Sequence, residues 1–462
     1  MKFLVALLLA QSVAQPLTPT TGVQRTELFS TSALTYYAGT SGNDGSSCTS
    51  SGTACATING ALAKIPLNPR HDWIVNVGAG NFSGFIVPAK VTSGSGVNGL
   101  IQGTCGASTL ASGLQSGTLT SAVASSGSTY GTATRTAAGW TVNDLRGRFI
   151  SITGGTGSGQ SRVIISNTAT EISVSTWGTT PDSTSTFEII EPLTVINSPV
   201  TFATGAGTNV SAGFIVEDVG YHPGGSYRMR IDCIRVSTAT GFQFQLGGGD
   251  IEMRSVWFTP TTTSAGRMTG FGRTTFNNFY VSLPASGAFW STLGYYNVQS
   301  LQQGLIMGGA TQMQFGGGEL TLFDRMTMSG ASTSALAWGT VGDAQITNSN
   351  ISATGTCINN ASGYHSGSGW AVFITGSVLS SCGTAINSTG NRSFVDLNLV
   401  SGTGSTTVNL LSKGGNIRYR SNSTVTGTTE VSLDGVTTDD IADMRAASPR
   451  LLTNTYGSII YE

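Results

Sequence analysis

The feature that most constrains the fold of this chain is a pattern that returns every 20–26 residues from about residue 228 onward. Each unit is a short segment of alternating apolar and polar residues, followed by a turn of Gly, Ser, Thr or Asn, as in RMRIDCIRV and ELTLFDRMTM. A fixed period of this length is typical of solenoids, in which each repeat buries its apolar face on its neighbours. No stretch shows the 3.6-residue periodicity of a helical repeat. The pattern therefore predicts a β-solenoid of roughly nine coils.

Alternation within two segments separates an inward apolar face from an outward charged face. The residues expected to face inward are Met229, Ile231, Cys233, Ile251, Met253 and Trp257. On the outward face, Arg230 and Glu252 lie 22 residues apart, as do Asp232 and Arg254. In parallel coils of that period, opposite charges would meet across a strand spacing of about 4.8 Å.

Charge and hydropathy limit the classes of partner. Only 10% of the 462 residues are charged, the formal net charge is −1, and no basic block occurs. We therefore expect no nucleic-acid partner, because such binding depends on clustered positive charge. No internal stretch approaches the roughly 20 apolar residues of a transmembrane helix, so no membrane span is expected. The 63 glycines and many Ser and Thr residues favour a β-rich protein with tight turns.

The N-terminal residues MKFLVALLLAQSVAQP have the pattern of a short secretory signal peptide over residues 1–14. The alternative is a buried hydrophobic N-terminal segment. Cysteine spacing also indicates an oxidising compartment: Cys48 and Cys55 could close a short loop, and Cys357 and Cys382 would lie one coil apart. The six cysteines lack zinc-site spacing, so we expect disulfides and no metal site.

The segment before the repeats carries a resemblance to a known family. A Tyr-containing strand, a GNDG loop, two cysteines, a TINGAL helix and a Val/Ile strand ending in GAGNFSGFIV follow one another. This order resembles the N-terminal entry of right-handed parallel β-helix proteins of the pectate-lyase-like superfamily, which includes polysaccharide lyases, glycoside hydrolases and phage tailspikes. The resemblance covers residues 34–105 in detail and 193–425 in rhythm. It implies an all-β fold, a right-handed parallel β-helix whose exposed end is capped by an amphipathic helix.

Departures from the rhythm divide the chain. Residues 15–110 would form the N-terminal cap and first coils, and residues 193–428 the parallel β-helix coils. Residues 111–192 contain several strands without the repeat, so we expect a small inserted β module there. Residues 429–462 would form a C-terminal cap or an assembly segment.

Catalytic chemistry could lie on the outward lattice of the middle coils. This lattice contains Arg228, Arg230, Asp232, Gln243, Gln245, Asp250, Glu252 and Arg254, followed by Glu319 and Arg325. Two carboxylates roughly 5–9 Å apart would suit a glycosidase, so Asp250, Glu252 and Asp232, with Arg254, are the candidate catalytic residues. A purely structural ladder of complementary charges would give the same pattern. Glu217, Asp218 and His222 form a second candidate cluster, and the residue set of a standard lyase is absent.

Sugar binding could use aromatic side chains, because their flat faces pack on sugar rings. The candidate binding residues are Trp257, Trp290, Tyr295 and Tyr296, together with Arg230, Gln243 and Gln245. Phe258, Phe289 and Trp338 belong to the same aromatic-rich region. The alternative for each aromatic residue is packing in the core.

These patterns and the resemblance lead to one leading function and two alternatives. The first is a glycan-recognising extracellular or virion-surface protein, similar to a phage tailspike. It would form a homotrimer, bind a surface polysaccharide without a cofactor, and contact other virion proteins. The alternatives are a secreted, monomeric polysaccharide lyase or glycoside hydrolase, and a bacterial surface adhesin.

Overall fold

The computed structural model describes a large part of the chain. The described residues are 30, 32–66, 69–88, 97–108, 112–125, 130–203, 209–217, 228–262, 264–292, 297–315, 319–338, 342–360, 370–389, 393–413, 416–419, 423–433, 437–439, 450–454 and 457–461. The predicted signal peptide lies outside them.

Most strands belong to a solenoid whose successive coils contribute strands to three parallel sheets. Sheet 1 contains thirteen described strands: Leu34–Ala38, Trp73–Val77, Asn98–Gln102, Arg228–Asp232, the second halves of Thr240–Arg254 and Ser264–Asn277, Asn297–Gln302, Glu319–Asp324, Gly342–Thr347, Trp370–Thr375, Ser393–Asn398, Asn416–Tyr419 and Gly457–Tyr461. The nine repeats expected from residue 228 onward correspond to the nine strands of sheet 1 from Arg228–Asp232 to Asn416–Tyr419, and further strands of this sheet precede and follow them.

The other two sheets follow the same order. Sheet 2 contains Gly80–Ser83, Thr194–Ser198, Ile234–Val236, Trp257–Phe258, Tyr280–Leu283, Leu305–Gly308, Thr327–Ala331, Asn350–Ala353, Val378–Ser380 and the first parts of Ser401–Lys413 and Thr424–Leu433. Sheet 3 contains Phe85–Val87, Phe214–Val216, the first halves of Thr240–Arg254 and Ser264–Asn277, Ala288–Thr292, Thr311–Phe315, Ser334–Trp338, Thr356–Asn360, Thr384–Thr389 and the later parts of Ser401–Lys413 and Thr424–Leu433. The predicted parallel β-solenoid is confirmed.

A residue with positive φ turns the chain from sheet 1 into sheet 2 in the middle coils. These corner residues are Cys233, Ser255, Asn278, Gln303, Arg325 and Asn348, with φ between 49° and 55° and steps of 22 to 25 residues. Each corner N–H donates to the end of the next sheet 1 strand, as from Cys233 N to Arg254 O at 3.1 Å. The period is thus maintained by backbone hydrogen bonds that do not depend on the side chain at the corner.

The inward side chains of the three sheets form one continuous core. Met229, Ile231, Ile251 and Met253 lie in it as predicted. Aromatic rings extend along it: Phe85 stacks on Phe214 with ring centroids 5.3 Å apart, and Phe214 stacks on Phe242 at 5.7 Å. Phe258 and Phe289 are also fully buried in this core. The alternative of core packing is therefore correct for these two phenylalanines, and no sugar can reach them.

The N-terminal segment places a helix, Ile58–Ala63, beside the first strands. Thr57 caps the helix by accepting a hydrogen bond from Gly60 N at 2.8 Å, and Asp44 accepts bonds from the Thr57 N–H and hydroxyl. The disulfide Cys48–Cys55 closes the preceding loop, which contains a short 3-10 helix, Ser51–Thr53. Ile58, Leu62 and Ile65 are buried in the solenoid core.

An antiparallel module (residues 105–192) leaves the solenoid at the corner between the strands Asn98–Gln102 and Thr194–Ser198. Its strands are Cys105–Ala107, Ser116–Thr118, Ser121–Val123, Gly131–Thr134, Phe149–Gly154, Ser161–Asn167, Glu171–Val174 and Thr186–Pro192. Cys105–Ala107, which precedes the residues 111–192 of the predicted module, pairs antiparallel with residues 190–192.

A disulfide also joins the base of this module to the solenoid. Cys105 bonds to Cys233, the corner residue of the next coil, across a sequence separation of 128 residues. Alternation predicted that Cys233 would share the inward face of Met229 and Ile231. That prediction is wrong, because the positive φ of the corner ends the strand at Cys233. The disulfide Cys357–Cys382 joins successive coils, in agreement with the spacing argument.

The remaining described elements are short antiparallel pairs. Val200–Ala203 pairs with Asn209–Ala212, Thr437–Asp439 with the end of Thr424–Leu433, and Arg450–Asn454 with Gly457–Tyr461. No helix of the described residues is long and apolar enough to cross a membrane.

Candidate functional site

Register aligns three outward rows of side chains on sheet 1. The first row is Asn98, Arg228, Asp250 and Arg273; the second is Leu100, Arg230, Glu252 and Thr275; the third is Gln102, Asp232, Arg254 and Asn277. Charges alternate in sign along the first row. The predicted juxtaposition of Arg230 with Glu252 and of Asp232 with Arg254 is present in the register. Four of the candidate residues thus form a square on adjacent strands.

The ion pairs of this square run along the strands rather than between them. Arg230 Nη2 lies 2.9 Å from Asp232 Oδ2, and Arg254 Nη2 lies 2.6 Å from Glu252 Oε1. Arg254 Nε donates to the same Glu252 oxygen at 2.7 Å. Both carboxylates are therefore held by an arginine two residues away, a separation that places the two side chains on the same face of a strand.

Asp232 is the most enclosed carboxylate of the square, with 9% of its surface exposed. Burial raises the pKa of its carboxyl above the ordinary value, and the charges of Arg230 and Arg254 oppose that rise. The neighbouring charge of Glu252 adds to it. A carboxyl with a raised pKa beside a second carboxylate is a feature of general acids, although structural ion-pair networks also produce it.

Two clefts open on this face. The first, about 260 Å³, is lined by Arg228, Asp250, Ile251, Glu252, Arg254, Arg273, Thr275, Asn277 and Gln302. The second, about 330 Å³, extends toward the N-terminal coils and is lined by Asp72, Trp73, Ile74, Asn98, Gly99, Leu100, Arg228, Arg230, Glu252 and Arg254. Three residues, Arg228, Glu252 and Arg254, line both clefts, so the clefts are continuous across Arg228 and Arg254.

A third depression, about 310 Å³, lies where the antiparallel module meets the corner of the solenoid. It is lined by Ser161, Arg162, Arg254, Ser255, Asn277, Asn278 and Gln303. Asn278 Nδ2 donates to Ser161 Oγ at 3.3 Å and to Ser255 Oγ at 3.2 Å, which ties the module to the corner. Because Arg254 borders all three depressions, the polar surface runs from sheet 1 to the module without interruption.

Trp257 is not available to a sugar, contrary to its predicted role. It is 5% exposed and packs in a cluster with Phe149, Val163 and Ile165 of the module and with Leu305, which lies two strands further along sheet 2. Alternation had predicted that Trp257 lies in the solenoid core, and this prediction is also wrong. The corner at Ser255, with φ 50°, interrupts the alternation, so Trp257 faces outward and the module covers it.

The other predicted binding residues lie away from the square or outside the described set. Gln243 and Gln245 lie on sheet 3, paired with the strand Ser264–Asn277, and Trp290 also lies on sheet 3. Their side chains are outside the description, as are those of Glu319 and Trp338. The expected single lattice is thus divided between two sheets, because the chain turns between residues 246 and 250. Tyr295, Tyr296, Asp218 and His222 lie outside the described residues.

Several site residues were not recognised from the sequence. Asp72, Asn98, Arg273, Asn277 and Gln302 line the sheet 1 clefts, and Arg162 lines the groove beside the module. Continuing the period of 20–26 residues beyond Asp250 would have reached Arg273, its partner in the next strand, 23 residues further along the chain. No sequence signal pointed to Arg162, because the position of the module on the solenoid is a tertiary feature. Within the described chain, no group of three His, Cys, Asp or Glu residues could hold a metal ion.

No protein-family model and no curated protein matches the sequence. Three solved structures are similar in path. XylC with xylose shares 11% identity over 85% of this chain and 70% of its own, with a TM-score of 0.33. The GH136 lacto-N-biosidase from Eubacterium ramulus shares 7% over 85% and 65%, with a TM-score of 0.36. The Pseudomonas phage phi297 tailspike gp61 shares 11% over 81% and 74%, with a TM-score of 0.24.

The chain folds as a parallel β-helix. The solved structures to which the chain shows this low similarity include glycoside hydrolases and phage tailspikes. Because the similarity is low, the assignment rests on the register of the three parallel sheets, and the roles of the site residues must be argued from their own geometry.

Proposed function

We propose that the protein binds a polysaccharide along the outer face of sheet 1. The observation that carries this proposal is the pair of polar clefts on this face, which are continuous because Arg228, Glu252 and Arg254 line both of them. The clefts span six successive strands, from Trp73–Val77 to Asn297–Gln302, or roughly 24 Å at the strand spacing of a sheet. A linear glycan presents hydroxyls at regular intervals, which a lattice of regularly spaced donors and acceptors can match.

The four charged residues of the square suit this role because they are already paired with one another. Asp232 and Glu252 each hold an arginine, so a neutral sugar would not need to displace water from an isolated charge. Side-chain oxygen and nitrogen atoms that remain exposed on Arg228, Asp250 and Arg273 can exchange hydrogen bonds with hydroxyls. Binding would therefore rest on many modest polar contacts rather than on one deep pocket.

The proposal extends to the location and the assembly of the protein. The three disulfides support an oxidising compartment, and we propose an extracellular or virion-surface location with a tailspike-like homotrimer that contacts other virion proteins. The helix Ile58–Ala63 would cap the N-terminal end of a right-handed solenoid, and residues 105–192 would be an inserted module. If the protein belongs to a bacterial cell surface rather than to a virion, the alternative function is that of a surface adhesin.

Cleavage of the glycan is a second candidate function, favoured by one observation. The pKa of Asp232 is raised by burial, and Glu252 lies on the adjacent strand, in the row next to that of Asp232. On this hypothesis Asp232 would protonate the glycosidic oxygen, and Glu252 or Asp250 would act as the second carboxylate. Arg254 would orient the Glu252 carboxylate by its two contacts.

A binding screen tests the first proposal. Surface polysaccharides and plant glycans would be immobilised, and binding of the wild-type protein compared with Asp250→Ala and Arg273→Ala. We expect about tenfold weaker binding for each variant, or about 1.4 kcal/mol. The matched control is Gln345→Ala, an exposed residue of the same sheet face outside both clefts. Equal losses in all three variants would place the binding surface elsewhere.

The same glycans test the second candidate. Release of new reducing ends or of unsaturated products would be measured for wild-type protein and for Asp232→Asn. Cleavage that is lost in the variant, with glycan affinity retained, supports catalysis. Binding without any product supports the recognition role alone.

A further inference from the structure

The groove between the antiparallel module and the solenoid corner differs from the sheet 1 clefts in its charge. Arg254 on its edge is paired with Glu252, and Arg325 nearby is paired with Asp324 at 3.2 Å. Arg162 forms no ion pair with a carboxylate of the described chain. The groove therefore carries one positive charge that no described acidic side chain neutralises.

Arg162 is held in place by hydrogen bonds that leave part of its guanidinium free. Nε donates to Thr176 O at 2.6 Å, Nη1 to Ser161 O at 2.8 Å and Nη2 to Gln160 Oε1 at 3.2 Å. A guanidinium has five N–H donors, so two are not used by these bonds. A positioned, partly buried arginine with free donors is suited to an acidic oxygen group, since the cost of ordering its side chain is already met by the protein.

A second positive charge reinforces this character. Burial and the charge of Arg325 together lower the pKa of Arg162 to about 10, so the fold brings two arginines close enough to repel one another. The rest of the groove consists of neutral donors and acceptors: Ser161, Ser255, Asn277, Asn278 and Gln303.

We propose that this groove binds the acidic group of the glycan, a carboxylate or a sulfate ester, through Arg162. The inference rests on the proposed function and narrows it to anionic polysaccharides. Arg254 connects the groove to the sheet 1 clefts, so a chain lying on sheet 1 can place one acidic substituent against the module while its neutral hydroxyls contact the lattice.

Paired polymers test the proposal. Polygalacturonate is compared with its fully methyl-esterified form, and dextran sulfate with dextran, so that each pair differs in charge; the first pair reports on carboxylates and the second on sulfate. We expect at least tenfold preference for the anionic member of one pair, and loss of that preference in Arg162→Gln. Asn277→Asp, which adds a negative charge at the groove, should abolish the preference without removing any contact of Arg162. Arg135→Gln, in the same module, is the control for charge loss.

A small-ligand measurement makes the result independent of polymer identity. Inorganic sulfate and glucuronate at millimolar concentration should raise the melting temperature of wild-type protein and of Arg135→Gln, but not that of Arg162→Gln. If neither the polymers nor the small anions show any dependence on Arg162 and Asn277, the proposal is wrong. Equal binding of charged and neutral polymers would overturn it while leaving glycan recognition intact, whereas absence of binding to every glycan of the screen would overturn both.

Discussion

Arg230 and Glu252 occupy the same position in adjacent strands of sheet 1, yet each forms its ion pair within its own strand. The two ion pairs, Arg230–Asp232 and Glu252–Arg254, lie one above the other with opposite polarity. Every charge of the square therefore has an opposite charge along its strand and another across it. Removal of one charge leaves two neighbours partly uncompensated, which makes the square sensitive to substitution and to pH.

The pH dependence of Asp232 gives the first prediction. Burial raises its pKa, so the folded protein binds this proton more tightly than the unfolded chain does. The stability that protonation contributes is present at low pH and is lost as the pH rises through the folded-state pKa. The free energy of unfolding of Asp232→Asn, relative to wild type, should therefore increase as the pH rises through the folded-state pKa of Asp232. Urea titrations at several pH values measure it.

Asp182 is the matched control, because its shift has the opposite sign. The Thr184 hydroxyl, the Thr156 hydroxyl and the Thr184 N–H donate to this exposed carboxylate and lower its pKa. Its stabilising effect is thus present above its ordinary pKa and lost as the pH falls. Asp182→Asn should lose stability relative to wild type as the pH rises. A difference of the same sign for both variants would contradict the assigned cause.

Close packing at Gly99 gives a second prediction. A Cβ added to Gly99 would lie 2.2 Å from Cζ2 of Trp73, a fully buried ring in the adjacent strand. Gly99→Ala should lower the free energy of unfolding by about 1–3 kcal/mol, because a packed core accommodates an extra methyl only by shifting. Gly52→Ala is the control, since its Cβ would meet no atom closer than 4.0 Å. Comparable denaturant midpoints for the two variants would show that Trp73 does not pack as described.

The buried position of Trp257 gives a third prediction. Its ring packs 6.4 Å from that of Phe149 and 5.7 Å from that of Tyr280, and the Arg235 guanidinium lies 5.3 Å from its centroid. Trp257→Ala should cost about 3–5 kcal/mol of stability, as for other large buried aromatic residues. Phe373→Ala, at a ring that is 41% exposed on sheet 1, should cost much less. Chemical denaturation of both variants measures the costs; a loss of glycan affinity in Trp257→Ala without a loss of stability would restore the sugar-binding role.

The disulfide that joins the module to the solenoid gives a fourth prediction. Cys105–Cys233 closes a loop of 128 residues, whereas Cys48–Cys55 closes one of 7. If the bond acts by restricting the unfolded chain, the double Cys→Ser variant at Cys105 and Cys233 should lose about 4 kcal/mol, and the variant at Cys48 and Cys55 about 2 kcal/mol. Denaturant unfolding under non-reducing conditions compares them. The reverse order would mean that local packing, rather than loop length, governs both bonds.

The repeating part of the fold could be predicted because each coil presents its core face by alternation alone. Met229, Ile231, Ile251 and Met253 are inward, as expected, and the 22-residue step correctly aligned Arg230 with Glu252. Both depend only on neighbouring residues of a strand and on a constant period. The alternation failed at Cys233, which occupies a corner, and at Trp257, which follows the corner at Ser255. The positive φ of each corner changes the direction in which the following side chains point. Nothing in the local composition marks Ser255 or Gln303 as such a corner.

The candidate site was predicted in part, for a related reason. The four charges of the square lie on consecutive coils and were found from their spacing, whereas Gln243 and Gln245 were assigned to the same surface although they lie on sheet 3. Arg162 could not be found at all. It is 92 residues from Arg254 in the sequence, and the two border one groove only because the module folds back over sheet 2.

The sequence by itself thus determined the solenoid, its period and the inward face of each strand, since these follow from hydrophobic burial repeated at short range. Only the tertiary structure decided which corner carries the module, that Cys105 bonds to Cys233, that Trp257 is covered, and that Arg162 lies beside Arg254. Those relationships join residues far apart in the chain. They depend on how two separately packed sheets meet, and a pattern of neighbouring residues contains no record of that contact.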